Sequence, residues 1–321
     1  MISVLHVTEN PIAGAPMNLS NALNKWQGDK IHSRHVASSD RNENRIFKSD
    51  LLTNVHSFDE VSRAFLEADI LHFHNFYSKC EVFRRWPGLW SIALKKKRIW
   101  QVHSPREVNW MDLEEGFRDR FATHLVIGQY HPRQWPEIKH IVPNIIDITE
   151  PELMPVARKW DAPLRVAYSP SRIRLPGWDD KGYDQILPTL QKLVNEGLIT
   201  AEVIFNKPHK ECLATRGKAH ISIDEIVTGS YHLVSLESLS QGLCTIAGLD
   251  ELQVKTLKIL TNGDMHPWFL ARPNNFEEKL RWLAESPAIV QRYAHDSRQW
   301  MEKFWHPAKT TAKFVDIYER C

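Results

Sequence analysis

The sequence predicts an α/β protein built from two doubly wound, Rossmann-like domains. Three observations carry this expectation. Short apolar runs alternate with segments of helical period from the N-terminus onward, the pattern of a parallel sheet flanked by helices. The alternation breaks once, between Glu150 and Pro163, where Pro151, Pro155 and Pro163 stand among charged residues, and then resumes. The chain also has 321 residues, more than one core usually spans. The expected domains are residues 1–150 and 151–321.

The elements follow in order. Ser3 to Val7 reads as a buried strand. A loop from Thr8 to Pro16, containing Gly14, leads into a helix whose Leu19, Ala22, Leu23 and Trp26 recur at i, i+3, i+4 and i+7. His35 to Ser38 is a strand and Val61 to Leu66 a helix. Strands follow at Ile70 to His74, Trp100 to His103, Leu125 to Ile127, and Ile141 with Val142, giving a sheet of about six strands. In the second half Arg165 to Tyr168 is a strand, and Ile186, Leu187, Leu190, Leu193 and Val194 mark a helix face. Glu202 to Phe205 and Ile221 to Ile223 are the next strands. Helices are expected over Phe276 to Ala284, Ala288 to Phe304 and Pro307 to Tyr318.

Composition sets the class. The chain is 42% apolar and 25% charged with no biased tract, which is globular. Its net charge of +2 neither demands nor excludes a polyanionic partner. Cys80, Cys212, Cys244 and Cys321 have neither metal nor disulfide spacing, so thiols in a reducing cytoplasm are the expectation. The start, MISVLHVTEN, lacks a signal peptide's basic region and apolar run. No apolar stretch approaches the roughly 20 residues of a membrane span, which leaves peripheral membrane contact only.

The stretch richest in chemistry runs from Asp224 to Asp250. Glu225 to Val227 reads as a short strand, and Thr228, Gly229 and Ser230 break it and offer an N-cap. Tyr231 to Gln241 reads as a helix closed by Gly242, and Cys244 to Ala247 as a strand. A glycine turn feeding a helix N-terminus suits a phosphate. Glu237, two turns on, is an acid among apolar and small residues, where a carboxylate needs a partner. A ribose diol is a good one, because both hydroxyls can donate to one carboxylate. An ordinary surface glutamate is the alternative. On the ribose reading the unliganded carboxylate faces solvent, and its removal costs little stability.

Other residues are candidates by type and position. Arg172 and Lys181 place two cations at a helix start. His103, in QVHSPREV, ends a strand, with Arg106 three residues on; a buried structural histidine is the alternative. His72 and His74 alternate along one strand and share a face. Their spacing permits metal ligation, but no third ligand is apparent, and a residue lining a cleft is preferred. Arg84, Arg85 and the run Lys95 to Arg98 interleave with Trp86, Trp90 and Trp100. That stretch is a solvated helix face before a buried strand, a membrane-surface patch, or a nucleic-acid groove with stacking platforms.

The segment from Asp224 to Asp250 resembles the donor-binding signature of retaining glycosyltransferases of the GT-B fold, in the family four group, which reads roughly E-G-F-G-L-V-x-L-E-A-M-A-x-G-x-P. Tyr231, Leu233, Val234, Leu236, Glu237, Ser238 and Gly242 keep the pattern. Glu237 is its second glutamate; the first falls on Gly229, and Gly229-Ser230-Tyr231 is similar to the G-x-Y-G form of branches that lack it. ENPIAGAPMNLSNAL resembles the family's first loop, where a glycine-rich turn, here Gly14 and Ala15, approaches donor phosphates and acceptor. SPSRIRLPGWDDKGYDQIL resembles the segment whose arginine and Lys-Gly pair match Arg172 and Lys181.

The resemblance implies two domains facing a cleft, with the last helix crossing back to the first. It implies transfer from a nucleotide-sugar, a UDP-sugar, with retention of configuration, to a surface glycan or lipid-linked sugar. Glu237 would hold the ribose. Gly229, Ser230, Tyr231 and Leu233 would contact phosphate or sugar, and His103 would lie beside the sugar. Arg172 and Lys181 would stabilise the leaving diphosphate in place of a metal, so no metal or other cofactor is expected. Two alternatives remain: a phage-type DNA glycosyltransferase acting on hydroxymethylated bases, which the basic tryptophan-bearing stretch would suit, and a nucleotide-sugar epimerase of the same fold.

Overall fold

The computed structural model describes residues 1–38, 48–106, 113–161, 163–170, 181–263 and 265–321. The chain forms two compact units, Met1–Ile146 with Pro307–Cys321, and Asp147–His306.

The first unit contains, in order, β1 (Ile2–Thr8), α1 (Ala15–Gln27), β2 (Ile31–Ala37), β3 (Leu51–Leu52), α2 (Phe58–Glu67), β4 (Ile70–His74), α3 (Glu81–Arg85), α4 (Gly88–Ala93), β5 (Lys97–Val102), α5 (Leu113–Arg118), β6 (Ala122–Ile127) and β7 (His140–Val142). Its sheet has seven strands in the order β3-β2-β1-β4-β5-β6-β7, paired in parallel throughout. The strand beyond the six expected is β3, whose two residues are too few to show a period. Alternation along the central strands sends Leu5, Val7, Leu71, Phe73, Trp100 and Val102 to one face and Val4, Ile31, Ile70 and Ile99 to the other. The strand order reverses between β1 and β4, the switch point at whose carboxyl ends ligands sit in open sheets of this kind.

The second unit contains β8 (Leu164–Tyr168), α6 (Tyr183–Asn195), β9 (Ile199–Val203), α7 (His209–Gly217), β10 (Ile221–Glu225), α8 (Leu233–Ser240), β11 (Cys244–Ala247), α9 (Glu251–Thr261), β12 (Phe269–Leu270), α10 (Phe276–Ala284) and α11 (Pro287–Phe304). Five parallel strands lie in the order β12-β11-β10-β8-β9, with the switch point between β8 and β10. The chain then supplies α12 (Pro307–Arg320) to the first unit. There Phe314, Val315 and Tyr318 pack with Val4, Leu19 and Leu23, and the Gln27 amide donates to the Ala308 carbonyl and Thr311 Oγ1.

Several boundaries differ from expectation, among them that of β2, which spans Ile31–Ala37 rather than His35 to Ser38, and three others have a visible cause. β9 occupies Ile199–Val203 rather than Glu202 to Phe205, because its register against Leu164–Tyr168 begins at Ile199. Glu225 to Val227 is not a separate strand: Ile221–Glu225 is one strand, and the Glu225 carboxylate accepts from the Val227 and Thr228 amides, turning the chain out of the sheet. The helix expected from Tyr231 begins at Leu233, for a reason that lies in its cap.

Candidate functional site

In the second unit β10 ends in two adjacent buried acids at the switch point, Asp224 and Glu225, both 0% exposed. The Asp224 carboxylate accepts from Lys181 Nζ at 3.0 Å through Oδ1. Through Oδ2 it accepts from the His232 amide at 2.6 Å and Ser235 Oγ at 2.7 Å. This carboxylate, not the Thr228 to Ser230 segment, caps α8. An anion at a helix N-terminus is stabilised by the dipole, and here the protein provides the anion itself. Burial opposes the charge on Asp224, but the Lys181 ammonium and His232 overcome it and hold its carboxyl far below the usual range. Lys181 is itself buried and adopts φ +56°, so its charge is matched inside the fold.

The neighbouring Glu225 is different. Oε2 holds the Val227 and Thr228 amides at 2.8 and 2.5 Å, while Oε1 is buried and makes no hydrogen bond among the described residues. Burial pushes its pKa up. Reading the sequence for motifs missed this pair. The available signal was two consecutive acids closing an otherwise apolar strand.

The turn between β10 and α8 separates the predicted donor residues. Gly229 has φ +82°, the left-handed region that favours glycine, and its carbonyl accepts from the Asp250 amide at 3.0 Å. Ser230 is buried and donates to Gln253 Oε1. Tyr231 is wholly buried, its ring 5.1 Å from Trp268 and 6.4 Å from Trp305. Both side chains pack inside the fold and support the turn. Leu233 is half-buried at the first position of α8.

Glu237 does not face solvent. It is 4% exposed, and each oxygen is engaged: Oε1 with His209 Nε2 at 2.6 Å, Oε2 with Arg216 Nη2 at 2.6 Å, both from α7. Burial raises its pKa, but Arg216 and His209 outweigh burial and hold it below the usual range. The expectation of a free carboxylate whose loss is harmless to folding is therefore corrected. Arg216 is 1% exposed and depends on this carboxylate for its charge partner. Arg172, with Arg174, Asp179 and Asp180, lies outside the described residues.

In the first unit the loop after β1 takes an unusual path. Ile12, Ala13 and Gly14 have φ of 45°, 51° and 83° in succession before α1 opens at Ala15. Positive φ at a β-branched residue is costly, and such outliers cluster at ligand-binding segments. The loop is held by Asn10 Oδ1, which accepts from the Ile12 amide, and by a Gly14 amide bond to the Pro11 carbonyl. Gly14 is buried and Ala15 half-buried. Across the switch point, Asn75 follows β4 with φ 59°. Its Oδ1 accepts from the His103 amide at 2.6 Å, and its Nδ2 donates to Ser104 Oγ. His103 Nε2 lies 2.9 Å from His74 Nδ1. Burial, then His131, lowers the His103 pKa to about 3, so the ring is neutral at pH 7. Arg106 is matched by Glu114 at 3.2 Å and Glu137 at 3.1 Å and lies 4.1 Å from the centroid of the Trp135 ring.

The basic stretch resolves into a solvated face before a buried strand. Trp100 is fully buried and so is no stacking platform, while Trp90 is half-buried and packs against Phe73, Tyr77 and Phe83. Lys95 to Lys97 sit where β5 begins, at the sheet edge opposite the strand carboxyl ends. Lys96 and Lys97 donate to the carbonyls of Leu66 and Cys321. Among the described residues no helix is long and apolar enough to cross a membrane.

No family model matches the chain, and no curated protein does. Solved structures do. An alpha-glucosyltransferase in complex with UDP and a 13-mer DNA is 11% identical, covers 99% of both chains and superposes with a TM-score of 0.67. HepE of Anabaena in complex with UDP-glucose is 11% identical over 100% of both chains, with a TM-score of 0.64. A glycosyltransferase from Rickettsia africae is 11% identical, covers 99% of this chain and 98% of its own, and gives 0.63. At this identity the likeness is one of architecture, and the architecture is the GT-B fold.

Proposed function

We propose that the protein is a glycosyltransferase that moves a sugar from a UDP-sugar to an acceptor hydroxyl, with retention of configuration and without a divalent metal on the diphosphate. One observation carries this reading. Structures of UDP and UDP-glucose complexes match the chain from end to end, so both halves of a donor-using enzyme have counterparts here. The turn at Gly229 receives the diphosphate, joined by Arg172 and by Lys181, whose position Asp224 sets. Glu237 accepts the ribose hydroxyls through the second lone pair on each oxygen, with Arg216 and His209 as positioning residues that fix its plane. The neutral His103 ring meets the sugar as a hydrogen-bonding partner rather than as a charge. Retention follows if the departing phosphate and the incoming hydroxyl share one face of an oxocarbenium-like centre.

A surface glycan or lipid-linked sugar is the acceptor proposed. A second reading, hydroxymethylated DNA, is favoured by the likeness to the alpha-glucosyltransferase–DNA complex. The buried Trp100 does not support it. The test is a donor-hydrolysis screen over nucleotide-sugars, then an acceptor screen with lipid-linked glycans and hydroxymethylated DNA as separate arms. Hydrolysis of one donor above the others supports the reading. Failure of every nucleotide-sugar to bind or turn over sinks it.

A further inference from the structure

We infer that His6, His72 and His74 form a buried binding site for a first-row divalent metal of the kind that prefers imidazole, zinc first among them. The sequence offered two histidines on one strand and no third ligand. The sheet supplies it. β1 and β4 pair in parallel with His6 directly opposite His72, and His74 lies two residues farther along the same face. One ring nitrogen from each of the three lies within 4.8 Å of the others, and all three residues are 0% exposed. Ring centroids are 4.9, 5.1 and 4.3 Å apart.

The hydrogen-bonding pattern points inward. Tyr318 Oη lies 2.9 Å from His72 Nδ1, and His103 Nε2 lies 2.9 Å from His74 Nδ1. If both Nδ1 atoms carry the proton, both Nε2 lone pairs face the group, as in metal sites whose ligands are oriented by an outer partner. His6 Nε2 and His72 Nε2 make no hydrogen bond among the described residues, and His74 Nε2 meets only His6 Nδ1, at 2.9 Å. Gln101, opposite His74 on β5, buries its Oε1 beside the same group and stands ready as a fourth ligand or as the partner of a bound water. A core needs no such concentration of unsatisfied polar atoms for packing alone.

Three imidazole nitrogen donors do not suit magnesium and calcium, which take oxygen, and suit zinc, cobalt, nickel or copper. Tetrahedral zinc with bonds of 2.0–2.1 Å sets its nitrogens about 3.4 Å apart. Binding therefore draws the rings slightly together and replaces the His6–His74 hydrogen bond. The metal would tie β1 to β4 at the switch point, and Tyr318 would link α12 to the same centre. This inference is independent of the transfer reaction.

The test uses the full chain, freed of any affinity tag and stripped with chelator, titrated with Co2+ alone. One equivalent should bind with the visible bands of a four-coordinate nitrogen site, and Zn2+ should displace it. Replacing His6, His72 or His74 singly with Gln should weaken Co2+ binding at least 100-fold. Tyr318→Phe should weaken it about 10-fold by loosening His72, and replacing the exposed His140 of β7 with Gln should leave it unchanged. A folded wild type that shows no such bands overturns the inference. So does unchanged binding in folded His6→Gln, which would place the metal elsewhere. Should the Gln variants fail to fold, the wild-type titration still decides the matter.

Discussion

Glu237 shows how a buried ion pair changes the meaning of a motif residue. Removing it leaves Arg216 charged and enclosed, and breaking a buried pair from one side costs about 3–5 kcal/mol. Glu237→Ala should therefore lower the urea midpoint substantially, with Glu237→Gln falling between it and wild type; an unchanged midpoint would refute the pairing. If the same carboxylate also receives the ribose, UDP should bind roughly 10² to 10³ times more weakly to whatever Glu237→Ala remains folded, the loss of two charge-assisted bonds with partial replacement by water. Equal dissociation constants would leave Glu237 a purely structural residue. Histidines give a second residue-level expectation. Burial depresses the pKa of His6, His35, His72, His74 and His103, the last to about 3. A depressed histidine stabilises the fold only above its unfolded value of about 6.5, where both states are neutral. As pH falls below that value, the unfolded chain takes up protons that the folded chain refuses. Each such ring then removes about 1.4 kcal/mol per pH unit. Metal-free protein should lose stability progressively below about pH 6.5 and be flat above pH 7, as followed by urea unfolding across that range.

At the scale of elements, the segment from β10 to α8 is shaped by close backbone approach. A Cβ placed on Gly248 would meet the backbone of Ile226 at 2.9–3.0 Å, and backbone cannot rotate aside. Gly248→Ala should therefore push residues 226 to 232 away from β11. The cost expected is about 1–3 kcal/mol of stability, the usual range for overpacking, together with weaker UDP binding, because that turn is assigned to the diphosphate. Calorimetric titration of UDP into the folded variant would show it, and wild-type affinity would detach the turn from the donor. Gly242, with φ +64°, ends α8 as the sequence motif requires, and a side chain there would carry left-handed strain. The cap at the other end comes from Asp224, contributed by a strand rather than by the residues preceding the helix.

For the whole molecule, α12 is the informative element, since it lies last in sequence and packs in the first unit. Deleting residues 307–321 strips Phe314, Val315 and Tyr318, each at most 2% exposed, from the core around β1 and α1. Losing even one buried aromatic costs about 3–5 kcal/mol. Hydrogen exchange should show protection collapsing in β1, β4 and α1 while β8, β10 and β11 keep theirs; uniform loss would mean that the two units unfold together. Transfer itself should continue in excess EDTA without added Mg2+ or Mn2+. Complete loss of turnover that Mg2+ restores would return the acidic pair Asp179 and Asp180 to consideration as ligands.

Periodicity alone determined most of the architecture. β4 and β11 occur at the predicted residues, as does α10, because buried parallel strands and amphipathic helices write their burial directly into apolar spacing. The GT-B fold and the existence of a glycine turn before α8 were legible to the extent that motif and alternation are local. What sequence could not decide was partnership between distant residues. That Glu237 is enclosed by His209 and Arg216, that Asp224 meets Lys181, and that His6 falls opposite His72 all depend on strand register and on helices brought together from 20 to 70 residues away. Such contacts arise from the packing of whole elements, so no window along the chain contains the information that places them.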